Sequence, residues 1–474
     1  MNKKLSELCC AGMLLAGAGI FSGCASYSEK SADMRSAWIQ GNFAHAEKIT
    51  AEEAESASEE DRLLWQLEHA SVLRGMQKNE EAQHALEEAA KTLEAWDEKA
   101  EILLSKEAAA TLSNLSALPY RGRGLDRIML HTYRSLNFLE AGKIDATRVA
   151  LNAAFQAQSE AVERNAKSIE AAQTTATEND VDLADLKKNQ SVANAIEIGK
   201  SGLSGFSAYA DYVNPFTTWL HGIYFLHAGT DASDRERARK SLVRVAQMEP
   251  ENTFVYEDIQ LAEKAVPEDD AITYVIFEYG VAPTLSLVRA DLFLAIPTGT
   301  GSSTIAPVCI ALPKLSREHS AGLPVMRAND VPAQTVCDMN RAVKTDFENA
   351  YPVVLARTLT TAFLKTAASV IANTAAQEYA LRDGSAAASL IALGTMIGTS
   401  VATYATTDAD LRTWQTLPEY FSVARIPTPK SRCVTVEIAG HRTTTKLLPG
   451  KVNVVVVKSV GFALEPRVNQ FILK

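Results

Sequence analysis

The chain has 474 residues, 47% of them hydrophobic and 22% charged, with a formal net charge of −10. Its length calls for two or three domains, and its composition is ordinary for a globular protein. The acidic balance argues against a nucleic-acid partner, because phosphate binding needs a basic footprint, and against electrostatic attraction to anionic headgroups.

Lys3 and Lys4 precede an apolar stretch, Leu8 to Cys24, which ends in Phe21-Ser22-Gly23-Cys24. A basic start, about a dozen apolar residues and small residues before a cysteine make a secretory leader over residues 1–23. Its end resembles the lipobox of bacterial lipoproteins, where the cysteine is diacylated and becomes the new N-terminus. Phe21 stands where that motif usually has Leu. The resemblance implies lipid attachment at Cys24 and a lipidated linker over 24–30; the alternative is an ordinary leader with an incidental cysteine. Losing Lys3, Lys4 and Glu7 would bring the net charge near −11, so membrane contact would rest on the lipid. Ala25 and Ser26 follow, without the Asp that favours inner-membrane retention in such lipoproteins. That implies the outer membrane, facing the periplasm, with surface exposure also open.

Residues 30 to about 170 are rich in Ala, Glu, Leu, Lys and Gln, a helical composition. Ala37-Trp38, Gly41 and Ala46 form a first unit, and Leu64-Trp65, Ala70, Ala82 and Ala89 a second. Ala46 and Ala82 lie close to the roughly 34-residue period of tetratricopeptide repeats. Small residues at that spacing let two antiparallel helices approach. Thr50 and Thr147 depart from the repeat pattern. A third unit starts at Arg121-Gly122-Arg123-Gly124, a loop that could take an anion on free amides and two arginines. A flexible helix start with solvated arginines is the simpler expectation. Residues 165–213 read as a long connection with a mobile tip. Asn214-Pro215-Phe216, Gly222, Ala238, Leu242 and Pro250 then mark the clearest repeat. The tetratricopeptide-like helical domain is expected over 31–265.

After Pro267 the hydrophobic period changes to two, which predicts strands at Thr273–Tyr279, Thr284–Ile296 and Ile305–Leu312, with another in Leu323–Met339. Helix resumes over about 341–407. Its last part, Gly384 to Thr407, carries no charge, and Gly394 and Gly398 match the small-residue spacing of membrane helix pairs. Ala, Gly, Ser and Thr dominate that run, so a tightly packed internal helix is expected rather than a span. Strands return at 420–426, 433–438, 443–448 and 452–457, the last being apolar throughout and expected in the interior of a sheet. Whether the two β regions share one sheet is open. The fold class is therefore α+β: an N-terminal all-α helical-repeat domain followed by a β-rich domain, 270–474, with inserted helices.

Several stretches together resemble a family of bacterial outer-membrane lipoproteins with tetratricopeptide-like helices and a β-rich C-terminal domain. They are RIMLHTYRSLNFLEAGK (127–143), NPFTTWLHGIYFL (214–226), YVIFEYGVAP (274–283), IALP (310–313) and DADLRTWQTLPEYFSVAR (408–425). The family supplies no catalytic residues to carry over.

The chain contains none of the H-E-x-x-H, G-x-S-x-G or P-loop motifs. His221 and His227, six apart, do not share a helix face and are expected as helix-surface or interface residues. Asp408, Asp410, Arg412 and Trp414 form the densest polar-aromatic cluster, expected as a cap with an ion pair or as a partner contact. Cys309, Cys337 and Cys433 allow one disulfide and a free thiol, or three buried thiols, and offer no zinc spacing. No cofactor and no metal are expected. The function that follows is a non-enzymatic scaffold that binds a protein or peptide in a helical-repeat groove. The alternative is a cell-envelope assembly or cell-wall-synthase regulatory factor that contacts its partner through the β domain.

Overall fold

The computed structural model describes residues 27–99, 118–263, 271–297 and 303–474, apart from positions 203, 206, 211, 321 and 406. The leader, Cys24 and Pro267 lie outside the described residues.

Four helix pairs joined by short turns open the chain: α1 (Tyr27–Ile39) with α2 (Phe43–Ser56), α3 (Arg62–Gly75) with α4 (Asn79–Glu98), α5 (Gly124–Glu140) with α6 (Ile144–Glu178), and α9 (Pro215–His227) with α10 (Ala232–Met248). Small side chains set the approach of the helices. A Cβ on Gly222 of α9 would stand 2.8 Å from Leu242 of α10, and one on Gly75 of α3 would stand 2.4 Å from Trp38 of α1. Ala46 and Ala82 are fully buried. Gly41 and Gly142 turn the chain at positive φ, which costs glycine little. Asn214 starts α9 by accepting the Thr217 amide at 3.0 Å, with Pro215 in the first turn.

The expected loop over 165–213 is largely helix. α6 runs on to Glu178, and α7 (Leu183–Lys188) and α8 (Gln190–Ser201) follow. Asp182 and Asn189 cap the two short helices, each with a side-chain oxygen on backbone amides. Polar residues that read as a loop are here caps and the solvated faces of helices. α11 (Thr253–Glu263) completes the helical part.

The strands are β1 (Ile272–Tyr279), β2 (Thr284–Pro297), β3 (Ser303–Ser316), β4 (Met326–Ala328), β5 (Val331–Pro332), β6 (Gln334–Asp338), β7 (Tyr420–Pro427), β8 (Cys433–Ile438), β9 (His441–Lys446), β10 (Val452–Ser459) and β11 (Arg467–Ile472). The two β regions do share a sheet, in the order β11-β10-β1-β7-β6. β1 runs parallel to β10 and antiparallel to β7, with Val275 between Val455 and Ala424. A second sheet has the order β5-β4-β8-β9, and β2 and β3 form a separate ribbon. Between β6 and β7 stand α12 (Met339–Asp383) and α13 (Ala386–Ala405). α12 is one continuous helix with Pro352 inside it.

The five-stranded sheet is buried on both faces. Tyr274, Ile276, Phe421, Val423, Val454 and Val456 join the core of the helical pairs, while Val275, Phe277, Ala424, Val455 and Val457 pack on Val434, Val436 and Ile438 of the second sheet. Double burial is why β10 lacks an alternating pattern. The change from helix to strand near residue 270 is thus no break in packing: Phe216 stacks on Phe421 at 3.9 Å between ring centroids, and Trp219 meets Tyr274 edge-on at 5.9 Å. A third core joins the inner face of the ribbon to α8 and the first half of α12.

Candidate functional site

The Arg121-Gly122-Arg123-Gly124 loop leads into α5 and lines a cleft of about 240 Å³ with Ser168, Phe347, Tyr351, Val354, Arg357, Asp410 and Arg412. The loop holds anions, but they are the protein's own carboxylates. Asp126 accepts the Arg123 amide at 2.9 Å, and Asp346 of α12 accepts the Leu125 amide at 3.1 Å. Arg127 forks onto Asp97 at 2.7 and 2.9 Å and donates to the Arg121 carbonyl. Burial pushes the Asp346 carboxyl up to about 6, with the Arg123 charge opposing. The loop is a braced helix start with partly buried arginines, and internal acids occupy its amides.

The 408–414 cluster closes the same cleft. Arg412 forks onto Asp410 at 2.8 Å through each contact, bonds Asp61 at 3.2 Å, and donates to the carbonyls of Glu60 at 3.0 Å and Leu118 at 2.9 Å. Burial alone would raise the Asp410 carboxyl; Arg412 outweighs it and holds the carboxyl below the ordinary range. Trp414 is buried and donates to the Ser71 hydroxyl at 2.9 Å. The expected ion pair is present. No helix follows it, so its work is to bind the segment ahead of β7 to the helical pairs rather than to cap.

Glu68 of α3 anchors the next residues. Its carboxylate accepts from the Gln415 amide at 2.6 Å, the Thr416 amide at 3.2 Å, the Thr416 hydroxyl at 2.6 Å and the Tyr27 hydroxyl at 2.9 Å. A second buried network ties α3 and α5 to the sheet. Glu278 of β1 lies 3.3 Å from Arg74 and 3.7 Å from Lys458 of β10, which is its partner in register. Burial pushes the Lys458 ammonium down to about 8, against the pull of Glu278. Sequence reading passed over this pair. A Glu inside an apolar strand and a Lys closing an apolar run were the available signals.

His221 and His227 are interface residues and not surface ones. His221 meets the Ser241 hydroxyl at 2.9 Å, and His227 meets the Tyr274 hydroxyl at 3.0 Å. Burial lowers both, to about 4 and about 3. Cys309 and Cys337 are buried and Cys433 is exposed, all three as free thiols. Among the described residues, no group of three His, Cys, Asp or Glu side chains is placed to hold a metal ion.

The largest departure from expectation is the arm made by the second half of α12 and by α13. Ile371, Tyr379, Leu381, Leu390, Ile391, Leu393 and Met396 are exposed, Leu381 by 84% and Leu390 by 68%. A Cβ on Gly394 or Gly398 would meet no described atom within 4 Å. The two glycines are not packing positions, and the uncharged run is not an internal helix. By length and composition, α12 could also cross a membrane.

The first helices α3, α5 and α9 are buried on nearly every side, between their own partners and the sheet. The side expected as an open groove is therefore filled by β1, β7 and the 408–419 segment.

No family model matches the chain, and no curated protein matches it. Among solved structures, a tetratricopeptide repeat protein from Parabacteroides merdae is similar at 14% identity, over 50% of this chain and 99% of that one, with a TM-score of 0.14. A score of that size does not establish a shared arrangement of helices. What stands is a largely helical N-terminal region with sheets in the C-terminal half.

Proposed function

We propose that this protein is a non-enzymatic scaffold of the cell envelope, held at the outer membrane by lipid on Cys24, whose C-terminal half presents the partner-binding surface. The observation that carries the reading is the exposed apolar side chains of the α12–α13 arm, since contiguous exposed apolar surface of this kind marks interaction sites. The filled inner side of the helical pairs moves the surface from the repeats to the C-terminal half. That shift favours an envelope assembly or cell-wall-synthase regulatory factor over a groove that captures peptides.

Two experiments test the reading. Crosslinking in cells should capture an envelope protein with the intact chain and lose it when residues 366–405 are removed. Retention of the same partner by the armless chain would place the surface elsewhere. For the anchor, Cys24→Ala should leave unlipidated protein that is released from membranes. Normal membrane retention with an unchanged mature mass would remove the lipid from the proposal.

A further inference from the structure

β2 and β3 pair only with each other among the described strands, over 14 residues each, a ribbon about 45 Å long. Leu292, Leu294, Ile296, Val308 and Ile310 cover α8 and α12 from its inner face. Its two outer edges differ. Pro307 and Pro313 of β3 lie opposite Phe293 and Leu287, and the pairing runs unbroken past both. A proline nitrogen has no hydrogen to give the ladder, so both nitrogens lie on the edge turned away from β2. That edge lacks two donors and is blunted against further pairing.

The outer edge of β2 has no such block before its last residue, Pro297. Residues opposite the two prolines form pairs that are not hydrogen-bonded within the ribbon. Leu285, Leu287, Arg289, Asp291, Phe293 and Ala295 therefore aim their N–H and C=O groups outward. Arg289 and Asp291 are both exposed and sit two apart on one face. The edge carries opposite charges on either side of Ala290.

We propose that β2 pairs antiparallel with β2 of a second copy of this chain, about a two-fold axis at Ala290, joining two ribbons into a sheet of order β3-β2-β2-β3. That register sets Arg289 opposite Asp291 of the second copy, and the two-fold repeats the ion pair. Leu287 then meets Phe293 and Leu285 meets Ala295 on the outer face, while Val288 meets Leu292 on the inner face. Moving the axis by one residue sets Arg289 or Asp291 against its own copy, a like-charge contact that disfavours those registers. An interface with the same patch on both partners is the self-complementary kind that closes as a dimer. Existing contacts fit the arrangement. Arg289 reaches the Thr407 carbonyl at 3.4 Å. Asn189 donates to the Phe293 carbonyl at 3.2 Å, and that oxygen keeps a second lone pair for the Leu287 amide of the second copy.

The test uses full-length protein in detergent, in a Cys433→Ser background that removes the exposed thiol. Ala290→Cys should form a disulfide-linked dimer on mild oxidation. At the two-fold its Cα atoms would stand about 4.5 Å apart in a pair without hydrogen bonds, a spacing that a disulfide spans. Ser286→Cys, whose opposite residue is Leu294 of the second copy, should not link. Added to Ala290→Cys, Arg289→Asp or Asp291→Arg should each lower the linked fraction about tenfold, and the exchange of both should restore it. Failure of Ala290→Cys to link, linking of it to a different protein, equal linking through Ser286→Cys, or no recovery in the double exchange would each overturn the proposal.

Discussion

Glu68 shows how much one buried side chain can govern. Four donors converge on it from α1 and from residues 415–416, so it joins parts of the chain about 350 positions apart. Burial pushes its carboxyl up from 4.5 to about 7, with the Thr416, Gln415 and Tyr27 donors opposing. The folded protein then holds this proton more tightly than the unfolded chain. The resulting stability is fully present below pH 4.5 and is lost as pH rises through 7. Glu68→Gln cannot ionise and removes that dependence. Urea unfolding at pH 4.5 and pH 8 should show wild type losing about 3 kcal/mol relative to the variant over that interval. A constant difference at the two pH values would show that the carboxyl titrates as an ordinary one.

At the scale of elements, glycine has opposite roles in two helices. Gly75 ends α3 under Trp38, and a Cβ there would lie 2.4 Å and 2.7 Å from ring atoms of a tryptophan that is 1% exposed. Gly75→Ala should cost about 1–3 kcal/mol by overpacking. Gly394 stands in open space on α13, so Gly394→Ala should be tolerated and add up to about 1 kcal/mol of helix stability. Thermal unfolding of the two variants checks both signs, and a stabilised Gly75→Ala protein would show that the Trp38 contact is loose. The sequence marks both stretches as helical, because composition and period report local preference. It could not rank their glycines: spacing is the same where a glycine meets a neighbouring side chain and where it meets none.

For the whole molecule, the decisive contact is helix against sheet. The sheet face made by Tyr274, Ile276, Phe421, Val423, Val454 and Val456 is covered by the helical pairs, and Arg74 supplies a buried partner to Glu278. A fragment starting at residue 270 would expose that apolar face to water and lose the Arg74 contact to Glu278. Expressed alone, it should be insoluble or unfolded under conditions in which the chain lacking only residues 1–24 stays folded. A cooperative, soluble fragment would show that the sheets fold without the helices. The arm raises a separate question of solvent. Protein lacking residues 1–24 should stay soluble without detergent if the arm serves a protein partner. Partition into membranes that disappears on removal of residues 384–407 would make the arm a membrane anchor.

The sequence by itself determined most of the helices and strands, the stretch 165–213 apart. Ala46, Ala82 and Gly222 at helical spacing gave the pairs, and alternating or continuous apolar runs gave β1, β2, β3 and β10. These are local patterns, set by the period of each element. It also marked the Asp410–Arg412 ion pair, two positions apart. The tertiary structure decided what covers each face. It placed β1 between β10 and β7, packed the helical pairs on that sheet where a groove was expected, gave the amides of Arg123 and Leu125 to Asp126 and Asp346, and left Leu390, Ile391, Leu393 and Met396 of α13 exposed. An apolar residue reads alike whether buried or bare, because what covers it belongs to another element of the chain.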